Sequence, residues 1–399
     1  MKVSLMRIHH TLLALLLSVV SLAEAGGLAT QTNSPEIREN TGPFTDASSI
    51  KTLVSEEERL WYASKSLRSS IRKGGRLYES EKLESYVQSV MDRLYPEFEG
   101  VIKVHVINSP VLNAFAIPDG HIYINTGLLS RFDNEAQLAT VLAHEGAHFV
   151  HRHGYHNQQS VKNSSGFATI TAIIGVPIVG LIGNVLAASS IYGYSRELET
   201  EADNVGFEKL KAAGYDVKEA SKVFEHLATE VKISEIEESV FYSTHPKLKD
   251  RIENFTSLSE NIAEGGDTNT DQYSEQIHDV RMMDLESELS FGRYKHLIAL
   301  LSNEAVLKRY PSYVHYYLAE AYRKRNDEND SVNAMVEVDI AIEKSPEFGP
   351  SYRTKGMLLM TQGRKSEAIS AFRKYLEKTP EAKDASYVKA YIEKLEKDS

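Results

Sequence analysis

Two histidines four residues apart, His144 and His148, enclose Glu145, Gly146 and Ala147 within the stretch Glu135 to His153, EAQLATVLAHEGAHFVHRH. Leu138, Val141, Leu142, Phe149 and Val150 recur at the three-, four- and seven-residue spacings of an apolar helical face. Asp133 or Asn134 offers an N-cap, so the stretch predicts a helix. Four residues along a helix separate two side chains by about 40° in angle and roughly 6 Å in rise, so both imidazoles can converge on one divalent ion. Glu145 lies about 100° further round, too far to be a natural third ligand. It is near enough to reach a water at such an ion, where a carboxylate acts as general base. The chemistry this pattern suits is metal-assisted hydrolysis, with zinc as the ion. Gly146 stands where a better helix former is expected, at a cost of up to about 1 kcal/mol, and room for a substrate is its only evident use.

A third ligand has to come from elsewhere in the chain. Ser195 to Asp203, SRELETEAD, opens an amphipathic helix that runs to about Ala213, before Gly214. Glu199 with Asp203 and Glu197 with Glu201 are both carboxylate pairs four residues apart, and either offers one ligand and one outer partner. Small Ala202 beside the first pair permits close helix approach and favours Glu199. Spacing alone leaves both pairs open. Further on, Thr244-His245-Pro246 reads as a helix start with proline at its first position.

The elements around these residues follow from periodicity. Glu56 to Ile71 and Ser80 to Leu94 predict amphipathic helices packed around the metal helix. Val101 to Asn108 alternates and is β-branched, which predicts a strand. Asn113 to Thr126 predicts a second stretch of sheet turning at Pro118-Asp119-Gly120. Together they make a small antiparallel sheet before the metal helix, either purely structural or with an edge strand that binds extended peptide by adding it as one more strand.

The chain has 399 residues, enough for two domains, and its net charge of −11 with no basic cluster excludes a nucleic-acid partner. Residues 1–25 read as a secretory signal: Lys2 and Arg7, then apolar Thr11 to Leu22, then Ala23-Glu24-Ala25. With no cysteine, any metal must be held by histidine and carboxylate, and the protein suits an oxidising compartment without disulfides, the bacterial periplasm above all. Residues 26–50 are polar and predict a mobile lead-in. No charge occurs between Lys162 and Arg196, and Phe167 to Ala188 is almost wholly apolar but broken by Gly175, Pro177, Gly180 and Gly183. It reads as a buried hairpin over the site, a segment resting on or dipping into a membrane, or a true span.

His144-Glu145-Gly146-Ala147-His148, Ser195-Arg196, Glu199-Thr200-Glu201-Ala202-Asp203 and Thr244-His245-Pro246 with Arg251, in that order, resemble the M48 family of zinc metallopeptidases over about residues 47–256. The resemblance implies that Glu199 is the third zinc ligand and that Asp203 orients a ligand histidine. It places His245 and Arg251 near the site, where one of them would steady an oxyanion, and it suggests His245 as a fourth ligand in a closed state.

Residues 257–275 are polar and predict a linker between a peptidase domain at 51–256 and a helical domain at 276–399. There Pro311, Pro346 and Pro380 stand 35 and 34 residues apart. Tyr317, Ala321, Ala334 and Val338 recur as Tyr352, Gly356, Ala368 and Phe372. This pattern is similar to tetratricopeptide repeats, with Ile277 to Arg309 a divergent leading repeat and Val388 to Leu395 a closing helix. The expected fold is therefore mainly α: a zincin-like α+β peptidase domain followed by an α-solenoid whose groove recruits partners. The order of signal, peptidase and repeats resembles family members of the Gram-negative periplasm. That implies stalled or unfolded outer-membrane proteins and their assembly machinery as partners, with degradation and chaperoning as activities. Assembly chaperone with a latent zinc site, or membrane-integrated peptidase, are the alternatives.

Overall fold

A computed structural model of the protein describes residues 42–51, 55–162, 194–234, 248–263 and 265–397. The signal at 1–25, most of the lead-in, the apolar stretch at 167–188 and His245 lie outside the described residues. Among the described residues no helix is long and apolar enough to cross a membrane.

The first part contains α1 (Ser55–Lys73), α2 (Glu81–Leu94), β1 (Lys103–Ile107), β2 (Ala114–Ala116), β3 (His121–Asn125), α3 (Thr126–Arg131), α4 (Glu135–Val150), α5 (His153–Lys162), α6 (Arg196–Ala212), α7 (Glu219–Ser234) and α8 (Leu248–Ser259). Helix α4 is the metal helix of the sequence, and Asn134 is its cap, its side chain accepting from the Gln137 amide at 3.1 Å. Every residue of α4 is buried, not only one face, because α2, α6, α7 and the sheet pack around it. Even Glu135 at its start is inside, accepting hydrogen bonds from Tyr86, Tyr215 and Asn269. A buried carboxylate is tolerable because its oxygens are so satisfied.

The sheet is small, as expected, but mixed rather than wholly antiparallel. Its order is β1-β3-β2; β2 and β3 form the hairpin around Pro118-Asp119-Gly120, whereas β1 runs parallel to β3. The six residues between β1 and β2 carry the chain past β3 to its far side, so the hairpin's second strand, not its first, lies beside β1. Strand β2 is left at the edge.

The second part contains α9 (Thr270–Gln276), α10 (His278–Ser290), α11 (Tyr294–Leu301), α12 (Glu304–Leu307), α13 (Val314–Arg325), α14 (Asp330–Lys344), α15 (Gly349–Thr361), α16 (Lys365–Lys378) and α17 (Ala385–Lys397). Pairs α13/α14 and α15/α16 stack at the period read from the prolines, and the repeated small and apolar positions are its interior. Gly356 shows why: an added Cβ would stand 2.5 Å from the Phe372 ring. The segment expected to be a linker is instead packed down. Asp267 exchanges main-chain bonds with Gly214 and Asp216, and Tyr273, fully buried, donates its hydroxyl to the Leu129 carbonyl at 2.6 Å. Polar composition concealed one well-placed aromatic. Tyr273, Ile277 and Val280 belong to the same core as α4, so the first helices of the solenoid are continuous with the first part of the chain.

Candidate metal centre

Helices α4 and α6 carry the donors, and they cross closely. Their contact is at Gly206, where an added Cβ would stand 3.1 Å from the His144 nitrogen. Glu199, Ala202 and Asp203 share the buried face of α6 with Gly206, whereas Glu197 and Glu201 are exposed. The ambiguity left by spacing is thereby resolved toward the Glu199–Asp203 pair. His144 Nε2 and His148 Nε2 lie 3.0 Å apart, and Glu199 places one oxygen 3.5 Å from each. The donor atoms of all three residues fall within 4.8 Å of one another in the buried interior. Two imidazole nitrogens aimed at one carboxylate form a donor set that fits a divalent ion of the zinc type.

Behind His144 stands a second layer. Its Nδ1 donates to Asp203 Oδ1 at 2.9 Å, which leaves Nε2 with the lone pair that a ligand needs. Burial and the nearby Arg251 guanidinium lower the His144 pKa to about 4, despite the opposing bond to Asp203, so the ring is neutral at neutral pH. Arg251 grips Asp203 with both ends of its fork, Nε to Oδ2 at 3.0 Å and Nη2 to Oδ1 at 2.5 Å, and lies over the Phe224 ring. Burial works against ionisation of Asp203, but Arg251 and His144 outweigh it and hold the carboxyl below its usual range. Arg251 is itself buried on the Nδ1 side of His144. That placement makes it a support for a ligand, and its Nη1 also lies 3.8 Å from Glu199 Oε2.

Glu145 faces the sheet. Its Oε2 accepts from the Ala116 amide of β2 at 2.8 Å. Asn113 with Asn125 and Ile117 with His121 exchange main-chain bonds across the hairpin, so in this antiparallel register Ala114 and Ala116 turn their amides and carbonyls to the outer edge. The carboxylate therefore sits against the outer edge of β2 and takes up its Ala116 amide. Gly146 has a different explanation from room for a substrate: an added Cβ would stand 2.3 Å from the Tyr95 ring, whose hydroxyl donates to the Ala143 carbonyl at 2.6 Å.

Two neighbours were not anticipated from the sequence. Tyr194 stacks on the His148 ring at 3.9 Å between centroids, and His153 Nδ1 lies 2.8 Å from His148 Nδ1. His153 is five residues beyond His148, off the helical face, and no periodicity could reveal it.

Two histidines and one carboxylate on crossed helices, with a further carboxylate beside them, have the composition of a catalytic rather than a structural metal centre. Residues 78–259 match Peptidase family M48, and this part of the chain is a metallopeptidase domain of that family. The chain is 33% identical over 177 residues to the mitochondrial metalloendopeptidase OMA1 of Arabidopsis thaliana, covering 44% of this chain and 34% of that protein. It is 30% identical over 196 residues to the Saccharomyces cerevisiae protein of the same name, covering 44% of this chain and 55% of the relative. It is 26% identical over 195 residues to the beta-barrel assembly-enhancing protease of Escherichia coli, covering 46% and 40% respectively. The chain thus spans between about a third and about half of the length of these relatives.

Proposed function

We propose that the protein is a zinc-dependent endopeptidase of the bacterial periplasm that cleaves unfolded or stalled outer-membrane proteins. One observation carries the peptidase reading: the buried His144, His148 and Glu199 donor set, with Glu145 beside it on the same helix and bonded to the outer edge of β2. Zinc, when bound, supplies a Lewis acid for the scissile carbonyl and lowers the pKa of water. Glu145 takes a proton from the attacking water and returns it to the leaving amine. The outward amide and carbonyl of Ala114 and the carbonyl of Ala116 hold an extended substrate as an added strand, beside the Glu145 carboxylate that takes up the Ala116 amide. Asp203 and Arg251 keep His144 in the ligating tautomer.

The site of action is supported by the signal-like residues 1–25, the lack of cysteine and the name of the Escherichia coli relative. The stacked pairs α13/α14 and α15/α16, read as tetratricopeptide repeats, would present substrate or assembly partners to the site. The test is cleavage of an unfolded outer-membrane protein by the purified full chain, with and without a zinc chelator, and by Glu145→Gln. Chelation should abolish cleavage and added zinc restore it, while Glu145→Gln should keep its zinc and cleave nothing. Cleavage that survives both would refute the assignment.

A further inference from the structure

Each ligand histidine needs something at its second nitrogen, and for His144 that is the Asp203 carboxylate. We infer that His153 is the corresponding positioning residue for His148, backed by Glu201; the inference rests on the zinc reading above and deepens it. A neutral His148 that ligates through Nε2 carries its proton on Nδ1. The 2.8 Å contact between Nδ1 of His148 and Nδ1 of His153 is then a hydrogen bond donated by His148. His153 accepts at Nδ1, and its own proton is on Nε2. Glu201 Oε2 lies 3.5 Å from that nitrogen, without a hydrogen bond between them, and the other Glu201 oxygen lies 2.7 Å from His151 Nδ1. A fully buried imidazole thus orients a ligand, with a half-exposed carboxylate close to its far nitrogen.

The backbone is bent to achieve this. Helix α4 ends at Val150, and Arg152 adopts φ 55, a left-handed conformation unfavourable for a residue with a side chain. That turn brings His153 back under His148. Arg152 is held in it by a buried ion pair with Glu57 and by its position over the Phe44 ring.

His151, His153 and Glu201 also lie close enough to hold an ion of their own. An ion on His153 Nε2 would need the shared proton on His153 Nδ1, which would reverse the hydrogen bond and take the Nε2 lone pair from His148. With neutral rings the two arrangements exclude each other, and the buried donor set prevails over one that includes a half-exposed glutamate.

The experiment is zinc affinity of the full chain by competition with a chromophoric chelator, with no peptide present. His153→Ala should weaken zinc binding about 10- to 100-fold, the range seen when outer partners of metal ligands are removed. His153→Asn, whose amide oxygen takes the place of Nδ1 as acceptor, should recover most of that loss, and Glu201→Ala should give a smaller loss than His153→Ala. Equal losses in the Ala and Asn variants, no loss in either, or a second zinc per chain in the wild type that Glu201→Ala removes would overturn the inference. A wild type that binds no zinc would instead overturn the proposed function itself.

Discussion

Gly206 of α6 lies against the main chain of His144, with 3.1 Å between the His144 nitrogen and the point where a Cβ would stand. This contact sets the separation of the two helices that share the metal donors. Gly206→Ala gains about 1 kcal/mol of helix propensity and loses about 1–3 kcal/mol to overpacking against rigid main chain. The change in stability should therefore be small, but the helices must part, and Glu199 moves with α6. Zinc affinity is expected to fall several-fold while the unfolding midpoint of the metal-free protein shifts little. Unchanged affinity would show that the crossing can relax without moving the carboxylate.

Gly146 gives a contrasting result. There the added methyl meets the Tyr95 ring at 2.3 Å, and the ring is fixed by its hydroxyl bond to Ala143. Gly146→Ala gains the same propensity of about 1 kcal/mol, but so close a clash costs about 3 kcal/mol or more, so the protein should be destabilised by about 2 kcal/mol. Pairing it with Tyr95→Leu should recover part of the loss, a coupling that a double-mutant cycle in urea measures. Strict additivity of the two changes would mean that the glycine serves something other than the ring.

The donor set was legible because helical spacing is local: His144, Glu145 and His148 declare themselves on one helix, and the strands and most helices fall where periodicity puts them. Between the Glu199–Asp203 and Glu197–Glu201 pairs, which have the same spacing, small Ala202 only favoured the first; the resemblance named Glu199, and the crossing at Gly206 buries it. Long-range facts were silent. The parallel pairing of β1 with β3, the docking of Tyr273 against Leu129 and the return of His153 through a left-handed Arg152 depend on partners far away or on a backbone turn that no residue type announces. The resemblance placed Arg251 near the centre, but its grip on Asp203 joins residues 48 apart in the chain and was not legible.

Its position yields a test. Arg251 neutralises Asp203 in the interior, and removing one member of a buried ion pair costs about 3–5 kcal/mol. Arg251→Met should therefore lower the stability of the metal-free protein and weaken zinc binding together. A side chain that served only to steady an oxyanion would leave both unchanged and reduce turnover alone. Denaturation in urea with chelator present distinguishes the two.

A second buried ionic network joins the peptidase part to the solenoid and predicts a pH limit. Arg131 of α3 meets Glu230 of α7 at 2.7 Å and Asp284 of α10 at 2.5 Å, while His296 of α11 bonds Glu230 at 2.6 Å and Glu288 at 3.0 Å. Burial alone would lower the His296 pKa, but the bonds to Glu230 and Glu288 outweigh it and raise the pKa from 6.5 to about 9. A pKa raised on folding means stability that is full below about pH 6.5 and lost as pH climbs through about 9, a span worth roughly 3 kcal/mol. Glu230 acts in the opposite sense. Burial raises its pKa, yet Arg131 and His296 bring it down to about 2, so its contribution persists until strongly acid conditions. The urea midpoint of the full chain should accordingly fall between about pH 7 and about pH 10, and His296→Gln should flatten that part of the profile. Identical slopes in the two proteins would show that His296 carries no proton into the interface.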